Sequence, residues 1–388
     1  MARYLTYTNN QTLLFYHPSM SSIANDIAIA NDNITLGTLK KKPKKKKPNG
    51  STGEPEDTNW PVFADGWPNL FIEGLHQVKL NDCVFLASFD SPANIFEQLA
   101  VIYSLAANQA RNMKVIIPWF PTGTMERVSD PGEIATASTM ARLLSAIPPI
   151  VTGATVLSFL DIHALQEQFY FRDKVQIELK TGMGLLFTNH DVNLTTNDII
   201  AFPDDGAYKR YKRMFEEYTV VVCEKRRTGY DTNNKAIKKV FIKDAPNIGN
   251  AKRIFIVDDM IQTGGTMIDC AKAIRKKYGT KIQINMFATH GVFPETTIDT
   301  ESLIAKEYQK KNKKTTWPSW YCFLESPAVH CVYVTNSIPK NKAIEAEATE
   351  FMKAMAGAGE PEVKFKCLNI APVVTSIIKN TDDKMYDS

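Results

Sequence analysis

The stretch RIFIVDDMIQTGGTMIDC, residues 253–270, constrains the fold of this chain more than any other. An apolar run, Ile254 to Val257, leads directly into two adjacent acids, Asp258 and Asp259. Gln262, Thr263, Gly264, Gly265 and Thr266 follow as a turn. Helical spacing then begins, with apolar residues at Met267, Cys270, Ala271, Ile274 and Tyr278, and Gly279 placed to end the helix. A buried strand, a tight turn and a helix make half of a βα unit, which implies a parallel sheet covered by helices. The helix start offers unpaired N–H groups and the positive end of the helix dipole. Gly264 and Gly265 let the backbone close around an anion, and Thr263 and Thr266 add hydroxyls, so the turn reads as a phosphate cradle. Neither GxxxxGK[ST] nor GxGxxG occurs in the chain, which excludes a Walker loop and a dinucleotide fingerprint. The two acids fall at the carboxyl end of the strand, where open α/β sheets take their ligands. Carboxylates repel phosphate but suit sugar hydroxyls or a magnesium ion, and a phosphate site beside a diol site describes a sugar phosphate. The bland alternative, an Asp pair capping a helix beside a Gly-rich turn, leaves the threonines and paired glycines unexplained.

Length allows two such domains, since 388 residues exceed the usual size of one. A hydrophobic fraction of 44% and a charged fraction of 23% are those of a globular protein able to build a core. The net charge of +4 is concentrated in KKKPKKKKP around residues 40–48, so no nucleic-acid partner is expected. That run, and the Pro, Gly, Ser and acidic residues that follow, read as a solvated insert over about 38–58. No apolar stretch approaches the roughly 18 residues of a membrane helix. The opening MARYLTYTNN lacks the apolar core of a signal peptide. Six scattered cysteines without a CxxC pair read as reduced thiols. Together these predict a cytoplasmic protein with no membrane partner.

From Trp60 onward, strand and helix patterns alternate. CVFLASF (83–89) and KVIIPWF (114–120) read as strands. NIFEQLAVIYSLAANQA (94–110) reads as a helix with Phe96, Leu99, Ala100 and Tyr103 on one face, and 136–147 as another helix. A second alternation starts near residue 185, with strands expected at 198–205, 219–225, 253–257, 281–291 and 328–337. The fold class predicted is α/β, two tandem domains, each a mostly parallel sheet flanked by helices.

Two further constellations stand out. In FLDIHALQEQFYF, Asp161 and His163 fall two apart at a strand end, where alternation predicts that both side chains point the same way. Oxygen and imidazole there make a workable magnesium site once phosphates complete the shell; a helix cap beside a core histidine is the alternative. In VVCEKRRTGYDTNN, residues 221–234, three cations follow a strand and run into a polar loop around Gly229. Basic residues on a mobile loop can close over a polyphosphate, although a solvated charged loop has the same pattern.

VDDMIQTGGT closely resembles the ribose-phosphate signature shared by type I phosphoribosyltransferases and ribose-phosphate diphosphokinases. The resemblance implies that Asp258 and Asp259 hold the ribose hydroxyls while Gln262, Thr263, Gly264, Gly265 and Thr266 wrap the 5-phosphate. The motif by itself does not choose between the two activities. The D-x-H at Asp161 and His163, followed by a glutamine and aromatics, resembles the diphosphokinase metal segment. Lys225 and Arg227 match that family's catalytic Lys-x-Arg, and AFPDDGAYKR (201–210) resembles the segment that would set Asp204 near the sugar, with Gly206 allowing close approach. FADGWPNLFI, FLASFDSPANIFEQLAVIYSL, PWFPTGTMERVSDPGEIATA and THGVFP are similar to the class II, plant-like enzymes, in order, from about residue 12 to 378. Departures from class I follow the class II pattern: Thr124, Met125 and Glu126 in the ATP loop, Gln262 opening the phosphate loop, and Arg172 where class I has an acid.

The family implies two phosphoribosyltransferase-type domains: residues 1–180 on the ATP side, with Glu126 and Arg127 at the ATP loop, and 181–370 binding ribose phosphate. The segment 371–388 is expected to pack back on the N-terminal domain. ATP and ribose 5-phosphate are the implied substrates, Mg2+ the cofactor and a homo-oligomer the assembly. A non-catalytic regulatory homologue and a phosphoribosyltransferase remain the other readings.

Overall fold

The computed structural model describes residues 11–40, 60–121, 126–230, 236–297, 303–313, 315–356 and 364–381. Most of the lysine-rich insert, Thr124 and Met125, and residues 231–234 lie outside them. The described residues up to Lys180, with those from Ile370 on, form one unit, and Thr181–Asn369 forms another.

The first unit is built on β1 (Thr12–Tyr16), α1 (Ser21–Ile29), β2 (Ile34–Leu36), β3 (Leu39–Lys40), β4 (Phe71–Ile72), β5 (Asp82–Leu86), α2 (Pro92–Ala107), β6 (Asn112–Ile117), α3 (Thr136–Ser145), β7 (Thr155–Leu160) and β8 (Val175–Lys180). Its sheet has the order β2-β1-β5-β6-β7-β8, with every neighbouring pair parallel. Strands covered on both faces read as continuous apolar runs, as Val84–Leu86 and Val115–Ile117 do. β3, at the start of the stretch expected as a solvated insert, is a strand and pairs antiparallel with β4.

Helix α2 buries a different stripe from the expected one. Phe96 is 56% exposed, and the buried positions are Gln98, Val101, Ile102, Leu105 and Ala106. The stripe is rotated because Gln98 belongs to it. Its Oε1 accepts the Ser88 N–H at 2.8 Å and its Nε2 donates to the Ser88 carbonyl at 2.7 Å, so a polar residue enters the core fully paired.

The second unit comprises α4 (Leu185–Thr188), β9 (Ile199–Phe202), α5 (Asp205–Tyr211), β10 (Thr219–Tyr230), β11 (Ala236–Asp244), β12 (Arg253–Ile261), α6 (Gly265–Tyr278), β13 (Gln283–Gly291), β14 (Glu295–Thr297), α7 (Leu303–Asn312), β15 (Thr316–Pro318), α8 (Tyr321–Glu325), β16 (Cys331–Thr335), α9 (Lys340–Ala356) and β17 (Phe365–Leu368). The sheet order is β11-β10-β9-β12-β13-β16-β17, parallel except for the antiparallel edge pair β10–β11. Both sheets with their flanking helices make this an α/β fold. The last helix, α10 (Ala371–Lys379), returns to the first unit against α1, where Lys114 Nζ donates to the Ile377 carbonyl at 2.9 Å.

The edge pair corrects a second expectation. The strand expected at 219–225 runs on through 226–230, where a loop was expected: β10 pairs with β11 along this stretch, with register shifts at Val222/Cys223 and Arg227/Gly229. Lys238 and Lys239, adjacent on β11, break the apolar alternation that would have marked it, as edge strands commonly do. β12 likewise runs past Val257 to Ile261, so Asp258 and Asp259 lie within the strand. No helix among the described residues is long and apolar enough to cross a membrane.

Candidate sugar-phosphate site

The candidate site of the second unit lies at the carboxyl ends of β12, the central strand, and its neighbour β9. After β9, Asp204 caps α5: its Oδ1 accepts the N–H groups of Gly206 at 2.9 Å and Ala207 at 3.0 Å. On β12, the Asp258 carboxyl shares a hydrogen bond with that of Asp259. Burial, then the Asp259 charge beside it and the Asp204 charge farther off, hold Asp258 well above the usual carboxylate range.

Arg210 completes the acid group and was missed by sequence reasoning. Its Nη1 lies 3.4 Å from Asp259 Oδ2, with both side chains nearly buried. The guanidinium also covers the Tyr211 ring at 5.1 Å. The available signal was a cation in α5, six residues after Asp204, inside a segment already singled out.

The anion loop follows. Gln262, Thr263 and Gly265 are exposed, whereas Gly264 is buried at φ +81 as the N-cap of α6. Lys225, exposed on β10, donates from Nζ to Thr266 Oγ1 at 2.6 Å. The cation of the edge hairpin therefore touches the first turn of the anion-loop helix. Arg227 lies two positions farther along the same strand. Below this contact, the Cys223 and Cys270 thiols hydrogen-bond to each other, and Cys270 Sγ lies 3.9 Å from the Pro203 carbonyl. That chain of sulfur contacts joins β10, α6 and the turn before Asp204. Lys243 of β11 pairs with Asp205 of α5 at 2.9 Å, an exposed clasp on the other side of the hairpin.

In the first unit, Asp161 follows β7 in the left-handed region, φ +40, and is 1% exposed. His163 is exposed. Strand alternation does not relate the two, because Asp161 is not extended. Four residues after His163, Glu167 is 1% exposed, and neither of its carboxylate oxygens accepts a hydrogen bond. It belongs to a short 3-10 segment, Leu165–Tyr170, in which side chains three apart eclipse. Tyr170 thus stands over Glu167, and its hydroxyl donates to the Glu126 carbonyl. Arg127 Nε is 3.7 Å from Glu126 Oε1. Burial, with Glu126 adding to it and His163 opposing, pushes Glu167 up to about 7. Among the described residues, no three His, Cys, Asp or Glu side chains are placed to hold a metal unaided.

Glu167 yields a pH prediction. Its folded value stands above its ordinary one, so the folded state keeps a proton that the unfolded chain releases. Stability from this source is complete below about 4.5 and is lost as pH rises through about 7. In chelator, thermal unfolding of Glu167→Gln should gain on the parent by about 3 kcal/mol between pH 4.5 and pH 8. A difference that does not change with pH would refute the assignment.

Residues 183–317 match the family model of the phosphoribosyl transferase domain. "Ribose-phosphate pyrophosphokinase 4" of Arabidopsis thaliana is 40% identical over 285 residues, covering 73% of this chain and 76% of that one. "Ribose-phosphate pyrophosphokinase 3, chloroplastic" of Oryza sativa subsp. japonica is 39% identical over 287 residues, covering 74% of this chain and 63% of that one. The chain thus spans less than two thirds of that chloroplastic relative. Among solved structures, a phosphoribosylpyrophosphate synthetase from Mycobacterium smegmatis aligns with a TM-score of 0.59 at 19% identity, covering 95% of this chain and 99% of that one. That likeness establishes a shared fold.

Proposed function

The chain belongs to the ribose-phosphate pyrophosphokinase family, and we propose that it transfers the β,γ-diphosphoryl group of ATP to the C1 hydroxyl of ribose 5-phosphate. The products are phosphoribosyl pyrophosphate and AMP. The C1 oxygen forms a bond to the β-phosphorus, the bond from that phosphorus to the α,β-bridging oxygen breaks, and the C1 hydroxyl gives up its proton. Such transfers leave little covalent work to the protein, which positions the reactants and offsets charge.

The observation that carries this reading is the bond from Lys225 to Thr266. It brings a cation suited to a transferring diphosphoryl group to the helix whose N-terminus suits the sugar phosphate. Gln262, Thr263, Gly264, Gly265 and Thr266 would bind the 5-phosphate, with Asp258, Asp259 and Asp204 at the ribose hydroxyls. Lys225 and Arg227 would stabilise the moving group, and Glu126 and Arg127 would face ATP.

Magnesium could use the carboxylate of Asp161 and the imidazole of His163, too few donors to close a shell without others. Asp161 and His163 would hold it, with phosphate oxygens and water completing the set. When bound it neutralises charge on the phosphates. The acids at 258 and 259 could engage a second ion. The reading includes a homo-oligomer and a cytoplasmic location; the six free thiols suit a reducing compartment.

The deciding experiment measures AMP formed from ATP with and without ribose 5-phosphate. Formation only when the sugar is present is expected. No AMP under either condition favours a regulatory homologue, and consumption of phosphoribosyl pyrophosphate with a base favours a phosphoribosyltransferase. Asp258→Asn combined with Asp259→Asn should weaken calorimetric binding of ribose 5-phosphate by about 10- to 100-fold. Unchanged binding would remove these acids from the sugar site.

A further inference from the structure

The anion loop has an outer side, where Gln262, Thr263 and Gly265 are exposed, and an inner side packed on the segment from Ser319 into α8. Two side chains of that segment reach loop carbonyls. Ser319 Oγ donates to the Gln262 carbonyl at 3.1 Å, and Cys322 Sγ donates to the Thr263 carbonyl at 3.5 Å. The described chain contains no cis peptide bond. In a planar trans peptide, the N–H points opposite to the C=O that precedes it. Fixing the Gln262 carbonyl inward therefore turns the Thr263 N–H outward, and fixing the Thr263 carbonyl inward does the same for the Gly264 N–H.

We propose that Ser319 and Cys322 are positioning residues for ribose 5-phosphate, aiming the N–H groups of Thr263 and Gly264 at its phosphate without touching it. The inference rests on the function proposed above and deepens it.

The platform is built to hold still. Ser319 is 3% exposed and its own N–H is bound to the Pro294 carbonyl at 2.9 Å. Trp320 and Tyr321 stack at 3.8 Å, and Tyr321 stacks on Trp317 at 5.4 Å. Phe323, fully buried, lies directly beneath Gly264. A donor role also requires Cys322 to keep its proton, and burial pushes that thiol up to about 12.

The test compares Ser319→Ala, Cys322→Ala and Cys322→Ser with the parent. Calorimetry reads ribose 5-phosphate and ATP binding, steady-state rates give kcat and both KM values, and circular dichroism checks folding. Each alanine variant should raise the Kd and KM for ribose 5-phosphate about 3- to 10-fold. The ATP values and kcat should stay within about twofold. Cys322→Ser, which keeps a donor, should recover most of the loss. Unchanged sugar binding, equal losses for both substrates, or a serine variant as weak as the alanine one would each overturn the proposal. If Cys322→Ala fails to fold, Ser319→Ala and Cys322→Ser still decide it. A parent protein that binds no ribose 5-phosphate would overturn the proposed function as well, whereas a binding parent with unaffected variants overturns this inference alone.

Discussion

Lys225→Ala is expected to lower kcat by about 10²- to 10³-fold, the usual cost of removing one charged or hydrogen-bonding group aimed at developing negative charge. Ribose 5-phosphate affinity should change less than about threefold. The separation follows from where the side chain reaches. Lys225 Nζ meets the hydroxyl of Thr266 from the edge hairpin, whereas the acids proposed for the sugar hydroxyls, Asp258 and Asp259, lie on β12. Its removal deletes a cation but leaves the loop backbone, Gly264 and the carboxylates in place. Lys225→Arg should recover only part of the rate, because a planar fork does not reproduce a point charge held by one hydroxyl. Single-turnover AMP formation at saturating sugar, with calorimetry of the sugar alone, separates the two effects. Near-parental turnover in Lys225→Ala would remove the lysine from the transfer step. Loss of sugar affinity without loss of rate would place it in substrate binding instead.

Local chemistry made one half of the site legible and left the other half hidden. The β12–loop–α6 unit could be read because strand, turn and helix signals follow one another without a gap: Ile254 to Val257, then Thr263 to Thr266, then Met267 to Ile274. The hairpin could not. Gly229 and the polar residues around it carry turn chemistry, yet pairing with β11 overrides them, and an edge strand with adjacent lysines gives a weak periodic signal. Helix α2 shows the same limit from another direction. Spacing favours the face of Phe96, Leu99, Ala100 and Tyr103, but the core selects the face containing Gln98, whose partners on Ser88 lie ten residues away.

Asp161 and Arg210 mark a second kind of limit. Asp161 and His163 were related by strand alternation, which fails once Asp161 takes a left-handed backbone. A residue type can be read from a sequence, but a positive φ outside glycine has little local signal. Arg210 reaches Asp259 across 49 residues, and the Ser319 and Cys322 contacts with the loop span 57 and 59. Nothing in the intervening sequence announces such pairs. They exist because the sheet order sets β9 beside β12 and the chain sets Ser319 and the start of α8 beneath the loop.

Gly264→Ala should be the most damaging small substitution at the loop, and Gly265→Ala one of the mildest. At 264 the backbone is left-handed, and an added Cβ would stand 2.4 Å from Phe323 Cζ and 3.0 Å from Cys322 Sγ. The left-handed conformation costs an alanine about 1–2 kcal/mol, and crowding a packed site adds about 1–3 kcal/mol. At 265 an added Cβ meets only Thr263 Oγ1, at 3.9 Å, on the first residue of a helix where alanine is favoured. Denaturant unfolding should therefore place Gly264→Ala about 2–5 kcal/mol below the parent, with Gly265→Ala within about 1 kcal/mol of it. If the loop yields instead of the unit unfolding, the same substitution should cost ribose 5-phosphate affinity, because lifting Gly264 off Phe323 swings its N–H away from the phosphate. Phe323→Leu in the Gly264→Ala background divides the loss into its parts. The smaller side chain should relieve the crowding and leave the conformational cost, so the double variant should regain part of the stability and not all of it. Equal stability of Gly264→Ala and Gly265→Ala would show that the loop is not pressed against Phe323, and the case for a fixed cradle would fail with it.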